Sequence, residues 1–139
     1  MVESQKAAFS FQTFNVPKFS YDGGSQNESP INILFIPSGK YNSESGEFEL
    51  TLSVISHDAE DEKKVVFALT SAAIFKFESV IKFEEIPPYF YKNAIAIMFP
   101  YVRAFISTLT LQANIRLLNL GLMNLSNLEI PLIENTTVI

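Results

Sequence analysis

The residues that could support catalysis are few, and most of them lie in the charged segment "HDAEDEKK". His57 is the only histidine of the chain, and there is no cysteine. A histidine that acts as a general base needs an orienting carboxylate and a nucleophile within hydrogen-bonding reach. Asp58 or Glu60 could orient His57, but a run of charges between two apolar segments is more typical of a solvated turn. We therefore predict that the chain is not an enzyme and has no catalytic residues.

The remaining polar motifs fit structural roles better than binding roles. The acidic run Asp58–Glu62 lacks the Asp, Asn and Gly spacing of a calcium loop. Glu84 and Glu85 precede a predicted helix, where negative charge suits the helix dipole, although a paired-carboxylate site is an alternative. Gly23 and Gly24 indicate a turn and lack the glycine pattern of a phosphate loop. The absence of cysteine excludes disulfides and thiolate metal sites, so we expect no metal and no cofactor.

The composition indicates more apolar surface than one small domain can bury. The chain has 139 residues, which fits a single domain over residues 1–139, and 47% of them are hydrophobic. The net charge is −5 and the basic residues are scattered, so there is no basic face for nucleic acid. The apolar surplus must then lie in a subunit interface, a membrane or a binding surface. No apolar run near the start is long enough for a signal peptide, which favours the cytoplasm.

Four segments are predicted to form β-strands: Ala8–Asp22, Ile31–Ile36, Glu47–Ser56 and Val65–Phe77. Pro17 interrupts the first, which indicates an edge strand or a bulge. The third alternates apolar and polar residues, as expected of an antiparallel strand with one buried face. The fourth is apolar on both faces, so we expect a cover on each face, one of which could be a helix and the other a second subunit.

Helical spacing then takes over after a double proline, and it predicts a helix over Tyr89–Gln112. Ala94–Leu111 contains a single charge, Arg103, so three alternatives arise: a membrane span, a plain core helix, or a helix buried between its own sheet and a second copy. A charge near the centre of a bilayer is costly, and we favour the third alternative. We expect Pro100 to kink the helix. The leucine spacing of the tail, which Gly121 and Pro131 interrupt, predicts a short helix near Met123–Glu129.

The segment "IMFPYVRAFISTLTLQANIRLLNLGLMNL" resembles the signature of the SecB family of bacterial export chaperones, which reads roughly "LFPYARE-I--L---G-FP-LNL-PVNF". Met98–Tyr101, Arg103, Leu118–Leu120 and Asn124 match it, and "AAIFKF" at Ala72–Phe77 resembles the family's "GGIFSI" strand end. The resemblance implies an α+β fold. In this fold a four-stranded antiparallel sheet is covered by one long proline-kinked helix and a short C-terminal segment or helix.

The resemblance also implies a function. SecB-like chains are ATP-independent holdases of the cytoplasm that serve protein export, and they pair through sheet edges and long helices into a dimer of dimers. It therefore implies non-native polypeptides and further copies of the chain as partners, without nucleic acid or membrane insertion. The candidate client-binding residues are Ile31, Ile33, Phe35, Leu117, Leu118, Leu120, Leu122, Met123 and Leu125. The candidate residues of the oligomer interface, in a dimer or a dimer of dimers, are Met98, Tyr101, Val102, Phe105 and Leu109.

Two departures from the family pattern concern the translocase ATPase SecA. Export-type members meet SecA through acidic groups, but the aspartate position is Lys18 here and the glutamate position is Ala68. A cation where the partner expects an anion costs affinity, which puts coupling to SecA in doubt. Two other functions stay open: a SecB-like protein dedicated to one partner, such as a toxin–antitoxin component, and a domain that binds a small apolar ligand or lipid.

Overall fold

The computed structural model describes residues 7–23, 30–114, 118, 120 and 125–139. Within these residues the chain forms a sheet first and then the helices, and it returns to the sheet at its end. The elements in chain order are β1 (Phe9–Tyr21), β2 (Ile31–Tyr41), β3 (Glu47–Asp58), β4 (Val65–Phe77), a 3-10 turn (Phe83–Glu85), α1 (Pro88–Ala113), a second 3-10 turn (Ser126–Leu128), α2 (Glu129–Glu134) and β5 (Thr136–Val138).

The strands of the described chain form one mixed sheet in the order β1-β4-β3-β2-β5. Neighbours among β1 to β4 are antiparallel, whereas β5 runs parallel to β2 along Gly39–Tyr41. The prediction of a four-stranded antiparallel sheet is therefore wrong in the number of strands and in the direction of the last one. Three residues are too few to display an alternating pattern, and β5 forms only where the chain returns to the edge of β2 after α2.

Close packing holds β5 against the edge of β2. The backbone N–H of Gly39 donates a hydrogen bond to the carbonyl oxygen of Asn135, with a distance of 3.2 Å. A Cβ atom at residue 39 would lie 2.5 Å from the ring of Phe48 and 2.8 Å from the hydroxyl oxygen of Thr136. Glycine is therefore required here, because any side chain would push β5 or the core phenylalanine away.

Alternation gives the sheet two different faces. The apolar positions of β3 that were predicted to share a face are all buried: Phe48, Leu50, Leu52 and Val54. We call this the inner face, and α1 covers it. On the opposite, outer face, Ala68 and Ile74 of β4 are half-buried, and the expectation that a second subunit covers them stays a prediction.

Strand β1 is irregular at the predicted proline. Its register against β4 shifts between Asn15 and Lys18, on either side of Pro17. Proline has no N–H to give to a sheet ladder, so it is found at edges and bulges. In the described chain β1 lies at one edge of the sheet, which confirms the interpretation of an interrupted edge strand.

Helix α1 is one residue longer at each end than predicted. Pro88 lies in its first turn, where the missing N–H has no intrahelical acceptor, and Asn114 ends it in the left-handed region with φ of 56°. By length and composition alone α1 could cross a membrane. Its buried side chains pack instead in the core beneath it. Pro100 lies on the exposed side of α1, and the kink expected there stays a prediction.

An aromatic cluster fixes the start of α1 on the sheet. The ring centroid of Phe90 lies 4.8 Å from that of Phe9, 4.9 Å from that of Phe48 and 4.8 Å from that of Phe77. Such ring pairs add about 0.5–1.5 kcal/mol each beyond the burial of their area. One helical residue thus ties β1, β3 and β4 together beneath the first turn of α1.

The C-terminal helix lies further along the chain than predicted. Helical residues run from Ser126 to Glu134, whereas the leucine spacing placed a helix near Met123–Glu129, of which residues 123 and 124 lie outside the described residues. Pro131 was interpreted as an interruption. It lies in the first turn of α2, where proline is tolerated because the helix has no acceptor for its N–H.

Candidate functional site

The inner face of β2 carries three half-buried apolar side chains that were predicted to bind a client. We call Ile31, Ile33 and Phe35 the inner strip. Their antiparallel partners on β3 are all buried residues of the inner face, so the strip continues the core toward the sheet edge. In the described chain β5 pairs with β2 along Gly39–Tyr41 and not along the strip. The strip is therefore apolar surface at a stretch of sheet edge that the described chain covers only in part.

One aromatic contact ties the inner strip to the helix. The ring of Phe35 meets the ring of Phe99 edge to face, with centroids 5.9 Å apart. The guanidinium carbon of Arg103 lies 5.9 Å from the centroid of the same Phe99 ring, within the range of a cation–π contact. Arg103, whose charge made a membrane span unfavourable, thus packs on Phe99, the ring that contacts the inner strip.

Leu118 is held against the end of α1 by two hydrogen bonds. Its backbone N–H donates to the hydroxyl oxygen of Thr110 at 2.9 Å, and its carbonyl oxygen accepts from the hydroxyl of Ser107 at 3.3 Å. Leu118 is buried, and Leu120 and Leu125 pack half-buried against the core that the inner strip also joins. Three other predicted client-binding residues, Leu117, Leu122 and Met123, lie outside the described residues.

The predicted interface residues of α1 divide into two groups. Met98 and Val102 are fully buried in the chain's own core, so they have no surface left for a second copy in this conformation. Phe105 and Leu109 are half-buried. Tyr101 is 46% exposed, although its ring centroid lies 5.1 Å from that of Phe11.

The outer side of α1 carries two exposed apolar residues that were not among the predicted interface residues. Ile97 and Leu111 are exposed, and they lie on the same side of α1 as Tyr101. We call Ile97, Tyr101 and Leu111 the outer helix face. The sequence positions of Ile97 and Leu111 do not identify them, because a helix apolar nearly all round offers no polar side to mark which residues point away from the sheet.

The two positions that depart from the SecA pattern come together on the sheet. Lys18 and Ala68 both line a depression of about 200 Å³, with Ser53, Ile55 and Thr70 among its other walls. Leu34 and Ile36 of β2, which are exposed on the outer face, extend the apolar surface beyond it. The outer face therefore presents apolar side chains and a lysine at the positions where the export-type pattern has acidic groups.

The charged turn has a structural role. A carboxylate oxygen of Asp58 accepts the backbone N–H of Glu60 at 2.8 Å, and Nδ1 of His57 lies 3.2 Å from the carbonyl oxygen of Asp58. These contacts are local to the β3–β4 connection. Across the described ranges, no cluster of three or more histidine and carboxylate side chains is placed to hold a metal ion.

Two buried tyrosines have perturbed ionisation. Burial raises the pKa of Tyr41, and Glu85 raises it further. The hydroxyl of Tyr41 donates a hydrogen bond to the carbonyl oxygen of Ile81. Burial also raises the pKa of Tyr91. Both side chains belong to the core, so these shifts are properties of packing and do not mark a reactive site.

The described residues have an α+β fold, in which one long helix crosses one face of a sheet. Within that class, the family model described as SecB, preprotein translocase subunit SecB, matches residues 7–129. The chain therefore belongs to the SecB family. β5 lies beyond the matched residues. A comparison with curated proteins finds no match.

A solved structure shares the fold. It is the SecB-like chaperone Rv1957 of Mycobacterium tuberculosis, in complex with a ChAD peptide from the antitoxin Rv1956 HigA1. The likeness has a TM-score of 0.67 at 15% sequence identity, and it covers 84% of this chain and 88% of that one. At this identity the comparison establishes the fold of the chain.

Proposed function

We propose that the protein is an ATP-independent holdase that binds extended segments of non-native polypeptide along the inner strip. The observation that carries this proposal is the row of Ile31, Ile33 and Phe35, which lies half-buried at the edge of the sheet. Alternate residues of a strand recur about every 6.8 Å, so an extended client can match the row with alternate side chains of its own. Apolar burial is non-directional, which suits clients of many sequences.

Membership of the SecB family supports this proposal. The solved SecB-like chaperone that shares the fold holds a peptide, which is the kind of occupant that we propose here. We propose that the protein works in the cytoplasm, as the family resemblance implies.

We also propose that the chain assembles into a dimer or a dimer of dimers. Ile97, Tyr101 and Leu111 give the outer helix face exposed fractions of 36%, 46% and 59%. Apolar residues grouped on one side of a long helix are suited to bury one another against a second copy. The predicted interface residues Phe105 and Leu109, half-buried beside this face, would complete the contact.

A second candidate function is a SecB-like protein dedicated to one partner. The outer face favours it, because Lys18 and Ala68 stand where export-type members carry the acidic groups that meet SecA. A chain that has lost this surface has less reason to serve general export. The peptide held by the solved SecB-like chaperone comes from an antitoxin, which is one kind of dedicated partner.

The test is the suppression of aggregation of several unrelated unfolded proteins, measured by light scattering with the chain in excess. A general holdase suppresses the aggregation of each protein, without ATP. A dedicated protein suppresses none of them, or a single one, and still binds its own partner in isothermal titration. If the chain neither suppresses aggregation nor binds any extended peptide, the proposed function is wrong.

A further inference from the structure

We propose that the hydroxyl of Ser56 is the polar anchor beside the inner strip, where it forms a hydrogen bond with the main chain of a bound polypeptide. This inference rests on the proposed function and adds one specific contact to it. Ser56 is 2% exposed. Among the residues that the structure describes, its hydroxyl oxygen is the one buried side-chain oxygen or nitrogen without a hydrogen-bond partner.

The other buried polar side chains are satisfied within the chain. The hydroxyl of Ser71 donates to the carbonyl oxygen of Leu52 at 2.7 Å. The hydroxyl of Thr110 donates to the carbonyl oxygen of Ile106 at 2.8 Å. A buried polar group without a partner is costly, and in native proteins it calls for a specific explanation. The unpaired hydroxyl of Ser56 therefore requires a specific explanation.

The position of Ser56 supplies that explanation. It lies on β3 directly across from Ile33 of the inner strip, and Phe67 of β4 is its neighbour on the other side. In the next row of the same face, Val54 lies across from Phe35. The sheet thus carries a valine beside one residue of the strip and a serine beside another, although an apolar side chain would fill the place of Ser56 without an unpaired hydroxyl.

A hydroxyl suits the main chain of a client better than its side chains. Every peptide unit of an extended polypeptide offers one N–H donor and one C=O acceptor, with proline lacking the donor. A serine hydroxyl can donate or accept and rotates to suit its partner. A contact to the main chain is therefore available with nearly any client sequence, and it would fix the position of a client that apolar contacts alone would let slide.

Because Ser56 is covered in the free chain, a client must displace the side chains around it before the hydrogen bond can form. The hydroxyl then gains in the complex the partner that it lacks in the free protein. Removal of the hydroxyl should consequently weaken binding without harming the fold. This combination is unusual for a buried residue, and it separates a binding role from a structural one.

The test compares Ser56→Ala with Ser71→Ala, the matched change at a buried serine whose hydroxyl is already bonded. Two labelled synthetic peptides of unrelated apolar sequence serve as probes, with affinity measured by fluorescence anisotropy and stability by thermal unfolding. For Ser56→Ala we expect affinity for both peptides to fall about 3- to 10-fold, which is the range of one net hydrogen bond, and Tm to stay equal or rise. For Ser71→Ala we expect Tm to fall and both affinities to stay unchanged.

Several results would overturn the inference. If Ser56→Ala binds both peptides as tightly as the wild type, the hydroxyl contributes nothing to binding, and the proposed function still stands. If only one peptide loses affinity, the hydroxyl contacts a side chain and not the main chain. If Tm falls as it does in Ser71→Ala, the hydroxyl stabilises the free fold. If the wild type binds neither peptide, the proposed function fails and the inference fails with it.

Discussion

Phe35 of β2 and Phe99 of α1 meet edge to face, with ring centroids 5.9 Å apart. Phe35 is the last residue of the inner strip, whereas Phe99 is 5% exposed and packed between helix and sheet. The candidate site and the core are therefore in direct contact. A polypeptide that binds to Phe35 would contact a side chain that also packs against Phe99 of α1.

This contact predicts energetic coupling between Phe35 and Phe99. In a double-mutant cycle with leucine at each position, we expect a coupling of about 0.5–1.5 kcal/mol in urea unfolding, because an edge-to-face pair contributes that much beyond burial. Phe90 lies nine residues before Phe99, about 13 Å nearer the start of α1, so the Phe35–Phe90 cycle is the control and should be additive. Additivity of the Phe35–Phe99 pair would show that the two rings do not support each other.

Tyr41 predicts a loss of stability at alkaline pH. Its folded-state pKa is raised above the ordinary value of 10.0, so its contribution is fully present below about pH 10 and is lost as the pH rises through the folded-state pKa. Tyr41→Phe should cost about 0.5–1.5 kcal/mol at pH 8, because the hydrogen bond to the carbonyl oxygen of Ile81 is lost. The Tyr41→Phe change should also make the free energy of unfolding fall less between pH 8 and pH 11 than it does in the wild type.

The measurement is urea unfolding of the wild type and Tyr41→Phe at pH 8 and pH 11. Tyr89→Phe is the control for loss of a hydroxyl, because Tyr89 is 46% exposed, and its stability at pH 8 should equal that of the wild type. An equal loss between the two pH values in the wild type and in Tyr41→Phe would contradict the assignment of the alkaline loss to Tyr41.

The outer helix face predicts self-association through α1. One chain has a mass of 15.6 kDa, and we expect light scattering of the wild type to give two or four times this mass. Ile97→Glu combined with Leu111→Glu should lower the mass to half that of the wild type, because burial of two charges in an apolar interface is costly. Val80→Glu is the control, since Val80 is exposed at 57% outside α1. A single-chain mass for the wild type would end the oligomer proposal.

The depression around Lys18 and Ala68 predicts weak or absent binding to SecA. We expect titration of the wild type with SecA to give no heat at micromolar concentration. Lys18→Asp combined with Ala68→Glu restores the acidic pattern of export-type members and should raise the affinity measurably, because like and opposite charges at an interface decide between partners. Lys76→Asp changes a lysine of β4 outside the depression and is the control. Tight binding by the wild type would contradict the prediction.

Regular periodicity made most of the fold predictable. The alternation of β3 placed Phe48, Leu50, Leu52 and Val54 on one buried face, and the structure buries all four. The helical spacing after the double proline located α1 to within one residue at each end. These elements are predictable because their own residues carry the pattern that the core requires.

The features that escaped prediction depend on the return of the chain to a distant partner. β5 forms against Gly39 at the far end of β2. Its three residues are β-branched and favour an extended conformation, but a run this short does not indicate that it joins the sheet. Pro131 was interpreted as an interruption because its place in the first turn of α2 depends on where that helix begins. The unpaired hydroxyl of Ser56 likewise depends on what surrounds it, whereas its sequence position shows only an alternating strand.

The most direct test of the central claim is the affinity of the protein for a permanently unfolded polypeptide after changes on the two faces of β2. The first variant combines Ile31→Ala with Ile33→Ala on the inner strip. The second combines Leu34→Ala with Ile36→Ala on the outer face, where these side chains are 53% and 42% exposed. We expect affinity to fall at least about tenfold in the first variant, because apolar area that the client buries is lost, and to stay unchanged in the second. Equal affinities for the wild type and the first variant, or a loss confined to the second, would contradict the assignment of polypeptide binding to the inner strip.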